Sequence, residues 1–173
     1  MPNDPATLTN VDREPIELAT RAAARLSKVV EVALDEVGLS LPQYRLMVLL
    51  VDGSAVATAL ARRLTVSRPS ITALADGLVE RGFVERVTDT RDRRCVTHSL
   101  TDAGHTALRA GDEAIRARLE RTVSFLPARK RKAAVDGLAL WIEALDLKRE
   151  DDEAIAAAER ATTRATERAK AKA

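Results

Sequence analysis

Aromatic side chains make up only 2% of the 173 residues, cysteine occurs once, and glycine and proline number 7 and 6. Each scarcity excludes something. A single cysteine, Cys95, cannot build an internal disulfide framework or a cysteine-based zinc site, and it fits a reducing compartment. No apolar run approaches the roughly 20 residues that a membrane-spanning helix requires, and no signal peptide precedes the first apolar stretch. Together these features predict a cytoplasmic protein without membrane partners. The net charge is only +2, so any nucleic-acid binding has to come from arginines gathered on one face and not from bulk charge. No glycine-rich phosphate loop, nucleophile elbow or HExxH pattern occurs, so no catalytic residue, cofactor or metal site is assigned and the chain reads as a non-enzyme. His98 and His105 have no cysteine or carboxylate at ligand spacing. Both read as structural, with pH sensing as the lesser alternative.

What is present is aliphatic and helix-forming: hydrophobic residues make up 46% and charged residues 31%, with alanine, leucine and valine dominant. The class expected is therefore mainly α with an aliphatic core. Residues 1–14, with Pro2 and Pro5 among polar neighbours, suit a flexible N-terminal arm. From about Ile16 to Val37 the apolar residues Ala19, Ala22, Ala23, Leu26, Val29, Val30, Ala33 and Val37 recur at helical spacing, and Gly38 stops the run. Ser40-Leu41-Pro42-Gln43 carries a cap, a proline in the first turn and a glutamine at the capping-box position. It opens a second helix through Val51, apolar nearly all round and so expected to be buried. Ala55 to Leu64 reads as a short third helix ending in Arg62 and Arg63, followed by a turn at Thr65-Val66.

Ser67 then caps a fourth helix from Arg68 to Arg81, with Pro69 in its first turn and Gly82 just past its end. Ile71, Leu74, Ala75 and Leu78 share one face. The opposite face carries Pro69, Ala73, Asp76 and Glu80, flanked near its start by Ser67, Arg68, Ser70 and Thr72. A helix that enters a major groove by its N-terminal end needs small, hydroxylic and basic residues there, which reach base edges and phosphates without blocking approach. Ser67, Arg68, Pro69, Ser70, Thr72 and Ala73 are the candidate recognition residues. The alternative is that the hydroxyls only cap and solvate a surface helix. Two β-like runs follow, Phe83 to Val87 and Cys95 to Leu100, separated by Asp89-Thr90-Arg91-Asp92-Arg93-Arg94. Such a hairpin is a wing. Arg91, Arg93 and Arg94 are its candidate DNA contacts, and Asp89 and Asp92 its braces, because an acid near phosphates is repelled unless it pairs with a base. Two helices, a tight turn and a hairpin in this order make a winged helix-turn-helix over residues 38–100.

Four stretches carry a resemblance to a known family: Leu60 to Ser70, Leu78 to Arg86, Asp89 to Arg94, and Leu100-Thr101-Asp102-Ala103-Gly104. The chain resembles the MarR family of bacterial transcriptional regulators from about Ile16 to Leu147, most specifically in the wing stretch. The resemblance implies a homodimer on double-stranded DNA, a recognition helix in the major groove and a wing in the adjoining minor groove. It implies that Arg93 enters that minor groove while Arg91 and Arg94 touch the backbone or brace the wing. In function it implies a regulator, commonly a repressor, binding an inverted repeat and released by a small aromatic effector. Tyr44 lies near where the family holds such effectors, which makes it the candidate pocket residue; from the sequence it reads equally as a core tyrosine with a wet hydroxyl.

Beyond the wing, Thr101 caps a fifth helix to about Phe125, with Leu108, Ile115 and Leu119 near a 3.5 period. A sixth carries Ala134, Leu138, Trp141 and Leu145 on one stripe. Residues 15–37 and 101–147 are accordingly expected to form a helical dimerisation domain, since their apolar stripes lack sequence-local partners; an intrachain bundle is the alternative. Residues 148–173 are Ala-rich and charged, either helical or disordered, and Arg160, Arg164, Arg168 and Lys172 form a basic stripe that could add non-specific DNA contacts. The competing functional class is a winged-helix protein-interaction module without specific DNA binding. It is favoured only by Asp76 and Glu80 on the outer face of the fourth helix.

Overall fold

The computed structural model describes residues 13–51, 53–88 and 96–170. Among these residues six helices and three short strands follow one another as α1 (Arg13–Asp35), α2 (Leu41–Leu49), β1 (Ala55–Val56), α3 (Ala57–Leu64), α4 (Arg68–Glu80), β2 (Val84–Thr88), β3 (Val96–Leu100), α5 (Asp102–Val123) and α6 (Ala128–Lys170). The chain divides into two compact units, Met1–Glu120 and Arg121–Ala173.

In the first unit, local chemistry sets the helix ends. Ser40 accepts a hydrogen bond from the Gln43 amide while the Gln43 side chain accepts one from the Ser40 amide, completing the capping box that opens α2. The core joins the end of α1 (Leu34), the α1–α2 corner (Leu39), α2 (Leu46, Met47, Leu50), α3 (Leu60, Leu64), α4 (Ile71, Leu78), β2 (Val84) and α5 (Leu108). Leu34, Leu46, Met47, Leu60, Ile71 and Leu78 are fully buried. Each such side chain contributes on the order of 2 kcal/mol relative to exposure, so burial of these aliphatic faces dominates any single surface contact.

The structure corrects three expectations. The third helix does not begin at Ala55. Ala55 and Val56 instead form β1, pairing antiparallel with His98 and Thr97 of β3, so the sheet order is β1-β3-β2. Two residues leave the helix because their backbone groups find ladder partners about forty positions away. Nor is α2 buried all round or continued to Val51: it ends at Leu49, and Val48 and Val51 are exposed. One side of α2 meets the core, and its apolar residues outnumber the places available there. Finally, α1 and α5 do have partners within the chain. Val30 and Leu34 of α1, and Ala107, Leu108 and Ile115 of α5, belong to or pack on the common core. At Gly111 of α5 a Cβ would meet Leu34, Tyr44 and Leu39 side chains at 3.2, 3.3 and 3.4 Å, which is how closely α5 approaches the α1–α2 corner. An ion pair between Arg118 of α5 and Glu36 lies beside that approach.

In the second unit, Arg131 donates from Nε to the Leu126 carbonyl and from Nη2 to the Ser124 carbonyl, fastening the turn between α5 and α6. The last carbonyls of α5 are satisfied separately, Arg121 by the Ser124 hydroxyl, Thr122 by the Phe125 amide and Val123 by the Leu126 amide. Helix α6 is continuous through Lys170, so the Ala-rich stretch is helical to that point. Ion pairs at i,i+4 such as Lys132–Asp136 and Lys148–Asp152 line its exposed surface. Leu138, Trp141 and Leu145 are 40%, 53% and 61% exposed, leaving its apolar stripe uncovered. Among the described residues no helix is long and apolar enough to cross a membrane.

Candidate nucleic-acid interface

The turn between α3 and α4 is set by Thr65, which adopts the left-handed conformation (φ 56°) that ends α3, its amide bonding back to Arg62. Left-handed backbone costs a threonine on the order of 1 kcal/mol, which the buried Leu60, Leu64 and Ile71 on either side outweigh. Ser67 then caps α4 through a hydrogen bond from the Ser70 amide, with Pro69 in the first turn. The six sequence-derived recognition residues, Ser67, Arg68, Pro69, Ser70, Thr72 and Ala73, are all exposed. Their hydroxyls are already engaged locally. Ser67 and Ser70 share a 2.7 Å hydrogen bond and Thr72 donates to the Arg68 carbonyl. Each hydroxyl oxygen retains lone pairs, so the face offers acceptors together with the Arg68 guanidinium. Arg62 and Arg63 at the end of α3 are exposed beside the turn.

The wing strands pair in register from Val84↔Leu100 to Thr88↔Val96. Arg91, Arg93, Arg94, Asp89, Asp92 and Cys95 lie outside the described residues. The base of the wing is well defined. Thr101 donates from its hydroxyl to the Gly82 carbonyl at 2.6 Å and from its amide to the Phe83 carbonyl at 3.1 Å, and it caps α5 by accepting from the Gly104 amide. Arg81 lies over the Phe83 ring, 4.5 Å from its centroid, a cation–π contact that steadies the exit from α4.

Sequence reading missed one residue pair: Asp76 of α4 forms an ion pair with Arg86 of β2. The sequence places Asp76 on the outer helix face and names no partner for it. The available signal was strand alternation, since Val84 and Arg86 share the face of β2 turned toward α4 and Val84 is buried in the core. Arg86 faces His98 across the ladder. His98 is 4% exposed and its Nδ1 has no hydrogen-bond partner. Burial holds its imidazole below the ordinary value of 6.5, a backbone hydrogen bond with Ala55 opposes this, and the nearby Arg86 charge reinforces it. The residue is therefore a neutral structural histidine at neutral pH.

Tyr44 lies on α2, part-buried, and its hydroxyl donates to Asp112 Oδ1 of α5 at 2.6 Å. Burial, then the hydrogen bond and the charge of Asp112, push its ionisation upward, so it stays a neutral donor. Its geometry is that of a strut between α2 and α5.

A sequence profile of the MarR family matches residues 39–96, the stretch from the α1–α2 corner through most of the wing. The HTH-type transcriptional repressor YetL of Bacillus subtilis is 32% identical over 108 residues, covering 59% of this chain and 65% of that protein. The chain thus spans just under two thirds of that relative's length. The crystal structure of RV1404 from Mycobacterium tuberculosis superposes with a TM-score of 0.66 at 26% identity, covering 80% of this chain and 95% of that one. The transcriptional repressor CouR bound to a 23-mer DNA duplex gives a TM-score of 0.60 at 25% identity, covering 78% and 98%. The capped α4 helix, the three-stranded wing base and these relatives agree, and the chain is similar to the MarR family over residues 39–96.

Proposed function

We propose that this chain is a sequence-specific DNA-binding transcriptional regulator, a repressor that binds an inverted repeat as a homodimer. One observation carries the reading. The N-terminal half of α4 presents Ser67, Arg68, Pro69, Ser70, Thr72 and Ala73 outward while Ile71, Ala75 and Leu78 are buried behind them, next to a wing on the same unit. Small and hydroxylic residues around one arginine suit the mouth of a major groove. The wing arginines Arg91, Arg93 and Arg94, braced by Asp89 and Asp92, would then reach the neighbouring minor groove and phosphates. The uncovered stripe of Leu138, Trp141 and Leu145 supports pairing with a second copy. Two recognition helices related by a twofold axis would read half-sites whose centres are about 10 base pairs apart.

A small aromatic effector acting at Tyr44 would have to compete with Asp112 for the phenolic hydroxyl, so release would act through the α2–α5 strut. The protein-partner alternative loses part of its motivation because Asp76 is paired with Arg86 and not free. The testing experiment is a gel shift with the DNA upstream of the protein's own gene. A discrete complex that survives competitor DNA, with a footprint of two inverted half-sites, is expected. Salt-sensitive binding that does not distinguish sequences, or a single unrepeated half-site, would contradict the reading.

A further inference from the structure

Past Val84, strand β2 has no core to rest on. Val84 is buried, whereas Glu85, Arg86, Val87 and Thr88 are all exposed. The wing ribbon is held at its base by the Thr101 bonds to Gly82 and Phe83. Its third strand contributes only two register pairs, Ala55↔His98 and Val56↔Thr97. Farther out, the ion pair between Arg86 and Asp76 joins β2 to the body of α4. Asp76 lies eight residues into α4 from Arg68, about 12 Å along the axis. That places the tie in the half of the helix away from the candidate base-reading end.

We propose that Asp76 and Arg86 are positioning residues for DNA recognition, their ion pair fixing the angle between recognition helix and wing so that both dock as one body. This rests on the DNA-binding reading above and names a device within it. The lever is short but sufficient. From Val84 to Thr88 the strand extends about 13 Å, so a swing of about 15° at its base displaces Thr88 by about 3.5 Å, a hydrogen-bond length. The pair has a second consequence. Unpaired, Asp76 would face an approaching duplex as a bare acid, and Arg86 neutralises it at the cost of its own availability to phosphate.

Both side chains are nearly half exposed, 45% for Asp76 and 41% for Arg86. An ion pair at that exposure adds little to folding stability, which separates positioning from a merely structural role. Asp76→Asn, Arg86→Gln and the double variant would be titrated against a duplex selected by the wild-type protein from a randomised pool, at two or more salt concentrations, beside thermal unfolding. Each single variant is expected to bind about tenfold more weakly. The double variant should lose no more than either single one, the salt slope should stay within half a unit of wild type, and the unfolding midpoints should barely move. Asp76→Glu and Arg86→Lys should recover part of the affinity. Bulk electrostatics predicts the opposite sign for Asp76→Asn, since deleting an acid near DNA tightens binding.

The proposal is overturned if Asp76→Asn binds as tightly as wild type or more so. Losses that simply add in the double variant would also overturn it, as would an Arg86→Gln salt slope lower by about one unit, which marks a direct phosphate contact. If the wild type selects no duplex at all, the DNA-binding reading fails and takes this role with it; if it selects one and the variants match it, only the positioning role fails.

Discussion

Gly104 offers the sharpest test of how the wing is joined to α5. A Cβ built on it would stand 2.0 Å from the Phe83 carbonyl oxygen, 3.0 Å from the carbon of that carbonyl and 3.2 Å from Leu100 Cδ2. Ordinary contact near 3.5 Å would require the oxygen to retreat by about 1.5 Å. It has little freedom to do so. The Phe83 carbonyl accepts from the Thr101 amide, the Phe83 amide donates to Leu78, and Thr101 bonds both the Gly82 carbonyl and the Gly104 amide. Gly104→Ala therefore forces overpacking against backbone, about 3 kcal/mol at the upper end of the usual range. Losing one backbone hydrogen bond adds about 1 kcal/mol, and replacing glycine by alanine in a helix returns about 1 kcal/mol. The net expectation is a loss of about 3 kcal/mol, a large part of the 5–15 kcal/mol typical of a folded domain, or roughly 6–12 °C in midpoint for a chain of this length. Urea unfolding followed by circular dichroism, at one fixed protein concentration, measures it. Gly77→Ala is the control: it too is helical, its Cβ would meet only Gln43 Nε2 at 3.9 Å, and it should stabilise by about 0.5–1 kcal/mol. A Gly104→Ala protein within about 0.5 kcal/mol of wild type would refute the close approach of α5 to the wing base, since even the low end of overpacking, about 1 kcal/mol, leaves a net loss of about 1 kcal/mol once the lost hydrogen bond and the helix gain offset each other.

Further tests bear on the sheet, the wing and the second unit. Because the His98 pKa is depressed in the folded protein, the unfolded chain binds more protons below 6.5; its contribution to stability is full above that value and is lost as pH falls toward the folded value. A stability–pH profile should fall on the acid side of 6.5 in wild type and flatten there in His98→Gln; parallel profiles would exclude His98 as the group responsible. Arg93→Ala should weaken binding on every sequence by about 1–3 kcal/mol and lower the salt slope by about one unit. Ser70→Ala should instead flatten discrimination among operator variants with little change in slope. Asp92→Ala should also weaken binding, and tighter binding in salt titrations would show that Asp92 is not a brace. Leu138→Arg combined with Trp141→Glu should abolish a dimer seen by sedimentation; a wild type that sediments as a monomer at micromolar concentration would remove the reason for that face.

Helix caps, hairpin strands and the exposed N-terminal face of α4 were legible in the chain because each depends on neighbours within a few residues. The serine at Ser40 with Gln43 three positions on, Ser67 ahead of Pro69, and Val84 to Thr88 facing Val96 to Leu100 all follow from local hydrogen bonding and side-chain period. The pairing of β1 was not legible: Ala55 and Val56 have nothing local to distinguish them from a helix start, and their partners lie some forty residues away. Nor was the fate of the apolar stripes, since a periodic face says that something covers it and not what does; Leu34 and Leu108 share one core, while Leu138 and Trp141 stay exposed among the described residues. Asp76 shows the same division at the level of a single charge. From the helix wheel it is an outward acid, and only the path of β2 across α4 brings Arg86 to it. Backbone patterns repeat over short stretches and are written locally, whereas contacts between distant segments depend on where the whole chain travels before it returns.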